Sequence, residues 1–222
     1  MTAEEKMTWV RRFRELPCGN VADAMDELKI RRGSVLGLHP IAADQPCTAG
    51  FARTVLQKRR ETEWDGVNLA KQGRVIDEQL EKGDILVIAT NGIHDVSTCG
   101  DLLALRAAMR GAQGLLTDGC IRDVDEMIEI GFRVYSYGTA PNKSAYDLET
   151  AGVDVPVTLS GILVYPGDMV IMDRTGVVVV PSDCIEAVYD RAVTIAEKED
   201  RIVRYLRDGK SLKEARALAA NA

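Results

Sequence analysis

The sequence predicts an α/β fold, and three observations predict it. Short apolar runs recur at 85–89 (ILVIA), 114–119 (GLLTDG) and 133–137 (RVYSY). Stretches with helical character separate them, at 101–110 (DLLALRAAMR) and 124–130 (VDEMIEI). Strand, helix, strand, helix, strand is the alternation of parallel βαβ units with right-handed crossovers. The third observation is a pair of later runs, 169–173 (MVIMD) and 176–181 (GVVVVP), separated only by Arg174 and Thr175. That spacing predicts an antiparallel hairpin.

A first helix is predicted over 3–16 and is broken by Pro17, Cys18 and Gly19. Asn20 then reads as the N-cap of a second helix, with Val21, Ala24, Met25 and Leu28 at helical spacing. Residues 31–52, rich in Gly, Pro and short apolar pieces, read as loops and short strands. The densest basic run, 56–60 (LQKRR), is followed at once by Glu61 and Glu63 and reads as a solvated loop or face. An amphipathic helix is predicted over 66–80, ended by a turn at Lys82-Gly83-Asp84. Asp101 is placed to cap the next helix and Gly111 to end it. From 183 to about 220 the chain is helical and charged. Gly83-Asp84 precedes ILVI as Gly167-Asp168 precedes MVIM, so one turn-then-strand entry is used twice. No solenoid period or low-complexity linker divides the chain, which predicts one domain over 1–222 with a C-terminal helical extension from about 183.

Composition narrows the function. The chain has 222 residues, 46% of them hydrophobic, enough for one sizeable core. Its 28 Lys and Arg against 34 Asp and Glu give a net charge of -6, which leaves no basic excess to neutralise phosphates and argues against nucleic-acid binding. No run approaches the roughly 20 apolar residues of a membrane span. The charged N-terminus lacks the apolar stretch of a secretory signal. Cys18, Cys47, Cys99, Cys120 and Cys184 are odd in number, widely spaced and free of any C-x-x-C pair. They read as reduced thiols, and the expected location is cytoplasmic.

The chemistry concentrates at 100–123 (GDLLALRAAMRGAQGLLTDGCIRD). Ligands of a βα unit bind at the carboxyl ends of strands and at helix starts. The amides of 100–103 stand at such a start and can hold a carboxylate or enolate oxygen. Arg122 offers a fork that pairs with a carboxylate. Asp123 beside it is a hard oxygen ligand of the kind Mg²⁺ takes together with several waters. Taken alone, Arg122 and Asp123 read equally as a pair in a surface turn, and Asp101 as a plain N-cap. Lys58, Lys71, Lys82, Lys143 and Lys210 lie in polar or turn contexts, unlike a Schiff-base lysine. Cys120 with His94 is a weaker nucleophile candidate, because most free cysteines are simply buried. Trp9 and Trp64 read as packing or loop anchors.

GDLLA…RG…GLLTDGCIRD resembles the signature of the RraA-like / 4-hydroxy-4-methyl-2-oxoglutarate aldolase family. GNVADAMDEL (19–28) is similar to that family's early helix, YPGDMVIMDRTGVVVVP (165–181) to its hairpin, and Gly209 with Ser211 to its tail. The resemblance runs from about 15 to 215. It implies an αββα sandwich akin to the swivelling phosphohistidine domain, with C-terminal helices. It also implies a class II pyruvate aldolase that uses Mg²⁺ or Mn²⁺ to cleave a 4-hydroxy-2-oxo acid to pyruvate and a second carbonyl product. Oxaloacetate decarboxylation is the implied side activity. By position, Asp123 would hold the metal largely through waters. Arg122 and the amides of Gly100, Asp101, Leu102 and Leu103 would bind the pyruvyl group. Asp101 would order a metal-linked water that acts as base. Glu199 of a neighbouring subunit, with Glu197 second, would enter the metal's water shell of a homotrimer or homohexamer. Ser97-Thr98-Cys99 and Asn91-Gly92-Ile93-His94 depart from the family's pattern at the outer pocket, so the substrate stays open. Noncatalytic members regulate RNA-degrading complexes and often lack the aspartate after the arginine; this chain retains Asp101, Arg122 and Asp123. A decarboxylase or hydrolase of another oxo acid is the remaining alternative.

Overall fold

The structure, a computed structural model, describes residues 1–220. Helix α1 (Ala3–Arg14) begins at a reciprocal cap, in which Thr2 Oγ1 accepts the Glu5 N–H at 3.2 Å and Glu5 accepts the Thr2 N–H at 2.7 Å. Helix α2 (Cys18–Glu27) has Pro17, not Asn20, as its N-cap. Asn20 is buried inside the helix, and the carboxylate that accepts the Cys18 N–H, at 2.8 Å, belongs to the distant Asp173. Strands β1 (Ser34–Val35) and β2 (His39–Pro40) are short, whereas β3 (Thr48–Arg59) is the longest in the protein.

The basic run 56–60 is therefore mostly strand, not loop. Lys58 pairs with Glu61 and Glu149, and Arg59 with Asp95. The Arg60 side chain is only 2% exposed and donates to the carbonyls of Thr62, Glu63 and Val67 and to Asp65. The helix predicted over 66–80 shortens to α3 (Gln72–Glu78). Its first part stays irregular because Asp65 and Asn68 accept the N–H groups of Val67 and Ala70, local bonds that compete with the helix.

Next come β4 (Asp84–Ala89), β5 (Ser97–Cys99), α4 (Asp101–Met109), β6 (Gly114–Thr117), β7 (Cys120–Ile121), α5 (Val124–Ile130), β8 (Val134–Ser136) and β9 (Gly138–Thr139). After them run β10 (Leu148–Val153), β11 (Val157–Leu159), β12 (Ile162–Val164), β13 (Met169–Asp173), β14 (Gly176–Val180), α6 (Ile185–Arg207) and α7 (Leu212–Ala220). The C-terminal helical stretch is thus two helices. Gly209 sits at φ +81°, and Ser211 restarts the helix by exchanging hydrogen bonds with Glu214.

The main sheet has the order β1-β14-β13-β3-β4-β6-β8-β2, with β10 also paired to β3. Strands β3, β4, β6 and β8 are parallel, and β13 with β14 form the predicted hairpin. A second, small parallel sheet, β5-β7-β9, lies at their carboxyl ends. The main sheet curls strongly. Three strands separate β8 from β13, which in a flat sheet would put them about 19 Å apart. Yet the Tyr135 hydroxyl of β8 donates to the Asp173 carbonyl of β13 at 2.6 Å. The concave side buries Ile85, Val87, Leu116, Tyr135, Val170 and Met172, with Val157 and Leu159 of β11 packed into it. On the convex side, α1, α2 and α6 cover β3, β13 and β14 through Phe13, Val21, Met25 and Val188. Helices α3, α4 and α5 cover β4, β6 and β8 through Ile76, Ala104 and Met127. The fold is mixed α/β with C-terminal helices.

The repeated Gly-Asp turn is real in space. Asp84 accepts the Glu81 N–H at 2.8 Å and Asp168 the Tyr165 N–H at 2.9 Å. The two turns dock on consecutive residues of β3, through Gly83 to Phe51 and Asp168 to Ala52. Only Asp84 also carries ion pairs, with Lys6 at 2.5 Å and Arg53 at 3.3 Å, while itself 2% exposed. Asp84→Ala leaves both cations half-buried without that partner and is expected to cost about 3–5 kcal/mol. Asp168→Ala removes acceptors of backbone N–H groups and is expected to cost about 1–3 kcal/mol. Urea midpoints of the two variants check the order.

Candidate active site

Two strand ends are held side by side. Strands β5 and β7 pair in parallel, Ser97 opposite Cys120 and Cys99 opposite Ile121. The Arg122 N–H then donates to the Cys99 carbonyl at 3.0 Å. The residues immediately after the two strands are consequently adjacent: Gly100 and the first turn of α4 on one side, Arg122 and Asp123 on the other.

Gly100 lets them close. A Cβ there would lie 2.5 Å from Asp123 Oδ2 and 3.0 Å from Arg122 Nε. Its backbone is extended, at φ -128°, so space and not conformation demands glycine. Asp123 sits at φ +57°, ψ +49°, a left-handed geometry that costs most L-residues roughly 1–2 kcal/mol and that aspartate tolerates better. It occupies the N-cap position of α5 without capping that helix by its side chain. Its carboxylate instead turns back to α4, where Oδ2 accepts the Asp101 N–H at 3.3 Å and pairs with Arg122 Nε at 3.2 Å.

A cavity of about 230 Å³ opens here, lined by residues 97–103, Arg122, Lys143 and Ser144. Gly100, Asp101, Leu102, Leu103 and Arg122, singled out by sequence, all line it, and Asp123 adjoins it. The N-cap of α4 is Gly100, not Asp101, and no side chain caps that helix. Asp101 is the first helical residue; its amide is taken by the Asp123 carboxylate, and those of Leu102 and Leu103 are left for a ligand. Glu199 is elsewhere within the chain. It lies in a groove between α2, α6 and α7 and accepts a hydrogen bond from Asn20 at 2.6 Å. Glu197 lies exposed on the same helix.

The donor set fits one class of metal. Among the described residues no group of three His, Cys, Asp or Glu side chains could enclose an ion. A zinc site needs three or four such ligands. Mg²⁺ keeps most of its waters and needs one or two carboxylates, which Asp123 with neighbouring Asp101 can supply.

Sequence reasoning placed Ser97-Thr98-Cys99 at the outer pocket, where they line the cavity, but singled out neither Lys143 nor Ser144 as a lining residue. Lys143 reaches the cavity through a bridge to Ser97 across a long loop, which leaves no local signal. The cysteine alternative loses ground: Cys120 donates to the His94 carbonyl at 3.0 Å, while the His94 ring stacks on Tyr137. Burial raises the Cys120 thiol pKa. Cys99 is pushed up to about 12 by burial, with Asp123 and Asp101 adding to it. Trp9 packs on Phe13 and Tyr189, and Trp64 on Tyr146. At pH 8, iodoacetamide is expected to spare Cys18 and Cys99 in the folded protein while labelling all five cysteines after denaturation. Intact-mass spectrometry reads the difference, and rapid labelling of Cys99 would contradict it.

Known proteins resemble the chain in sequence and in overall shape. A family model described as "RraA-like: Aldolase/RraA" matches residues 18–179. A Halalkalibacterium halodurans protein named "Putative 4-hydroxy-4-methyl-2-oxoglutarate aldolase" is 26% identical over 190 residues, 86% of this chain and 84% of its own. Protein DlpA of Legionella pneumophila is 28% identical over 196 residues, 88% of this chain but only 31% of that longer protein. Among solved structures, an uncharacterized protein from Pseudomonas syringae matches with TM-score 0.85 at 27% identity, covering 96% of this chain and 94% of its own. Streptomyces coelicolor RraAS2, described as an unusual member of the RNase ES inhibitor RraA protein family, matches with TM-score 0.76 at 29% identity over 87% and 94%. With the family model spanning most of its length, the chain belongs to the RraA-like family.

Proposed function

We propose that the protein is a class II pyruvate aldolase that cleaves a 4-hydroxy-2-oxo acid, such as 4-hydroxy-4-methyl-2-oxoglutarate, to pyruvate and a second carbonyl compound. The observation that carries this reading is the convergence of Arg122, Asp123 and the uncapped start of α4 around Gly100. The name of the Halalkalibacterium relative supports it. Arg122 and the amides of Gly100, Leu102 and Leu103 bind the pyruvyl carboxylate and orient the 2-oxo group, while the Asp101 amide holds Asp123 in place. Asp123 is the carboxylate that would hold Mg²⁺ or Mn²⁺, which would supply positive charge to stabilise an enolate. Asp101 holds a water that takes the C4 hydroxyl proton. The C3–C4 bond then breaks, its electron pair passes into the pyruvate enolate, and a proton returns to C3. Arg122 faces the oxygen on which negative charge grows, where a fixed donor lowers the barrier most. Oxaloacetate yields the same enolate on losing CO₂, so its decarboxylation is the side activity.

Several features support the rest of the reading. Leu102, Leu105 and Met109 on α4, with Ile128 on α5, form an exposed apolar stripe beside the cavity. Such a stripe suits a subunit contact, in keeping with a homotrimer or homohexamer in which Glu199 of a neighbouring subunit serves the metal's water shell. A curled sheet with helices outside both halves supports placing the fold with the αββα sandwich of swivelling phosphohistidine domains. Free cysteines suit a cytoplasmic protein. No helix among the described residues is long and apolar enough to cross a membrane, and the net charge of -6 disfavours a nucleic-acid partner. The likeness to RraAS2 favours a second reading, a noncatalytic regulator that binds an RNA-degrading complex.

Pyruvate release from 4-hydroxy-4-methyl-2-oxoglutarate, coupled to NADH oxidation, separates the two readings. Turnover should appear with Mg²⁺ and vanish with EDTA. Asp123→Ala and Arg122→Ala should each lower kcat about 100-fold or more. Gly100→Ala should do the same with an unchanged circular-dichroism spectrum, since its methyl group displaces both side chains. Metal-independent turnover, or an Asp123→Ala variant with wild-type kcat, would remove the metal assignment.

A further inference from the structure

The strand that leads into α4 is irregular at one residue. Ser97 pairs with Cys120 and Cys99 with Ile121, so β5 takes two steps where β7 takes one, and Thr98 is the extra residue of a β-bulge. A bulge bends its strand and leaves the extra residue outside the ladder. Thr98 stands two residues before Gly100. The bend therefore sets the direction in which the chain arrives at its contact with Asp123.

Two buried glutamines hold the bulge. Gln72 Nε2 donates to the Thr98 carbonyl at 2.8 Å, and the Thr98 hydroxyl donates to Gln57 Oε1 at 2.5 Å. All three side chains are enclosed, Thr98 at 1% exposure, Gln57 at 0% and Gln72 at 2%. Gln72 opens α3 and Gln57 lies in β3, so the grip comes from two elements outside the small sheet. Both meet at one point. Gln57 is opposite Thr150 of β10, and Thr150 Oγ1 accepts the Lys71 N–H at 2.8 Å, just ahead of Gln72. The next residue of α3, Gly73, faces the first turn of α4, where a Cβ would lie 3.5 Å from Leu103 Cδ2. Packing alone does not account for this polar trio. Gln57 Nε2 is buried without a partner, a cost that apolar side chains of the same size would avoid.

We propose that Gln72 and Gln57 are positioning residues of the active site: by gripping the bulge at Thr98 they fix Gly100 and the first turn of α4 against Arg122 and Asp123. This rests on the pyruvate-aldolase reading of the cavity. Neither glutamine touches the substrate in this scheme, and neither lines the cavity. Each acts through Thr98. A displaced bulge moves Gly100 and the amides of Asp101, Leu102 and Leu103 as one piece, so the hydrogen bond to Asp123 and the donors for the pyruvyl group are lost together.

Gln72→Leu removes the grip on the Thr98 carbonyl while nearly keeping the volume. Its kcat for 4-hydroxy-4-methyl-2-oxoglutarate should fall about tenfold or more, the scale on which a small displacement of positioned groups acts. Oxalate, a planar dianion shaped like the pyruvate enolate, should bind more weakly by a similar factor in calorimetric titration with Mg²⁺. Hydrogen exchange should quicken in the peptide over 98–103 and stay unchanged over the hairpin 169–180. A second pair of variants separates position from stability. Thr98→Val leaves the whole Gln57 amide unpaired, whereas Thr98→Val with Gln57→Leu removes both polar partners. The double variant should regain the melting temperature that the single one loses, yet keep its low kcat. Thr98→Ser, which retains both hydrogen bonds, should recover most of the kcat that Thr98→Val loses. A Gln72→Leu enzyme with wild-type kcat and oxalate affinity, or a double variant whose kcat returns with its melting temperature, would overturn the proposal. If the wild type releases pyruvate from no oxo acid and binds no oxalate, the aldolase reading fails by itself. Exchange over 98–103 in Gln72→Leu then still decides whether the glutamine holds the start of α4, and an unchanged rate there removes that role as well.

Discussion

The site depends on a missing methyl group. Gly100 is where β5 turns into α4, and it is also where Asp123 and Arg122 arrive from the neighbouring strand. At 2.5 Å from a notional Cβ, the Asp123 carboxylate occupies the volume that any other residue would fill. Because the contact is made from backbone to side chain, the carboxylate is held by the Asp101 amide while its remaining face stays open. The left-handed backbone of Asp123 belongs to the same arrangement. In the extended conformation usual for an N-cap, that side chain would be free to cap α5, as aspartates at helix starts commonly do. Bent back, it leaves α5 uncapped and serves the start of a different helix.

The curled sheet explains why this contact can be so close. Parallel strands β4, β6 and β8 end at the same edge, and the small sheet β5-β7-β9 continues beyond that edge. Strands β7 and β9 are reached from β6 and β8 through tight connections, such as the turn in which Thr117 Oγ1 accepts the Gly119 N–H at 3.0 Å, whereas a longer loop over 90–96 leads from β4 to β5. Asp118, buried in that turn, also accepts the Thr90 N–H at 2.6 Å and so links the ends of β4 and β6. Helix α4 leaves from the small sheet and packs back on the large one through Ala104 and Ala107, whose small side chains allow near approach. The start of α4 is therefore positioned by both sheets at once.

Much of this was legible in the sequence, and the exceptions have physical causes. The βαβ alternation and the hairpin showed because their apolar runs are continuous and buried on both faces. Strand β3 did not show, although it is the longest strand and central to the sheet. Its pattern is interrupted by Arg53, Thr54, Gln57 and Lys58. Their partners appear only in three dimensions: Thr54 donates to the Val155 carbonyl at 2.6 Å, and Gln57 Oε1 accepts from the Thr98 hydroxyl at 2.5 Å while Gln57 Nε2 is buried without a partner. Arg60 reads as one more exposed cation until the loop it binds has closed over it. Asn20 has the composition of a cap but points to Glu199 across two helices, a contact no local rule contains. At the site, the motif around 100–123 marked one wall of the cavity, because a helix start and a strand end leave local traces. Lys143 and Ser144 came from a loop and left none.

That asymmetry has a chemical counterpart. A site in which the protein offers few direct metal ligands leaves most of the ion's shell to water and to the bound oxo acid. In the proposed aldolase, binding of the reactive end would rely on fixed amides, one guanidinium and the ion, groups that any 2-oxo acid satisfies equally. Discrimination would then fall to the part of the substrate that differs, and Thr98, Lys143 and Ser144 line the same cavity apart from those common anchors. The sequence departs from the family's pattern at 97–99, on this same wall. Changes there can alter which carbonyl fragment leaves while Gly100, Arg122 and Asp123 keep their contacts, since the two walls are joined through β5 and not through the charged pair. With the charged pair at one end of one short strand and the bridge to Lys143 at the other, either end can vary while the other is held.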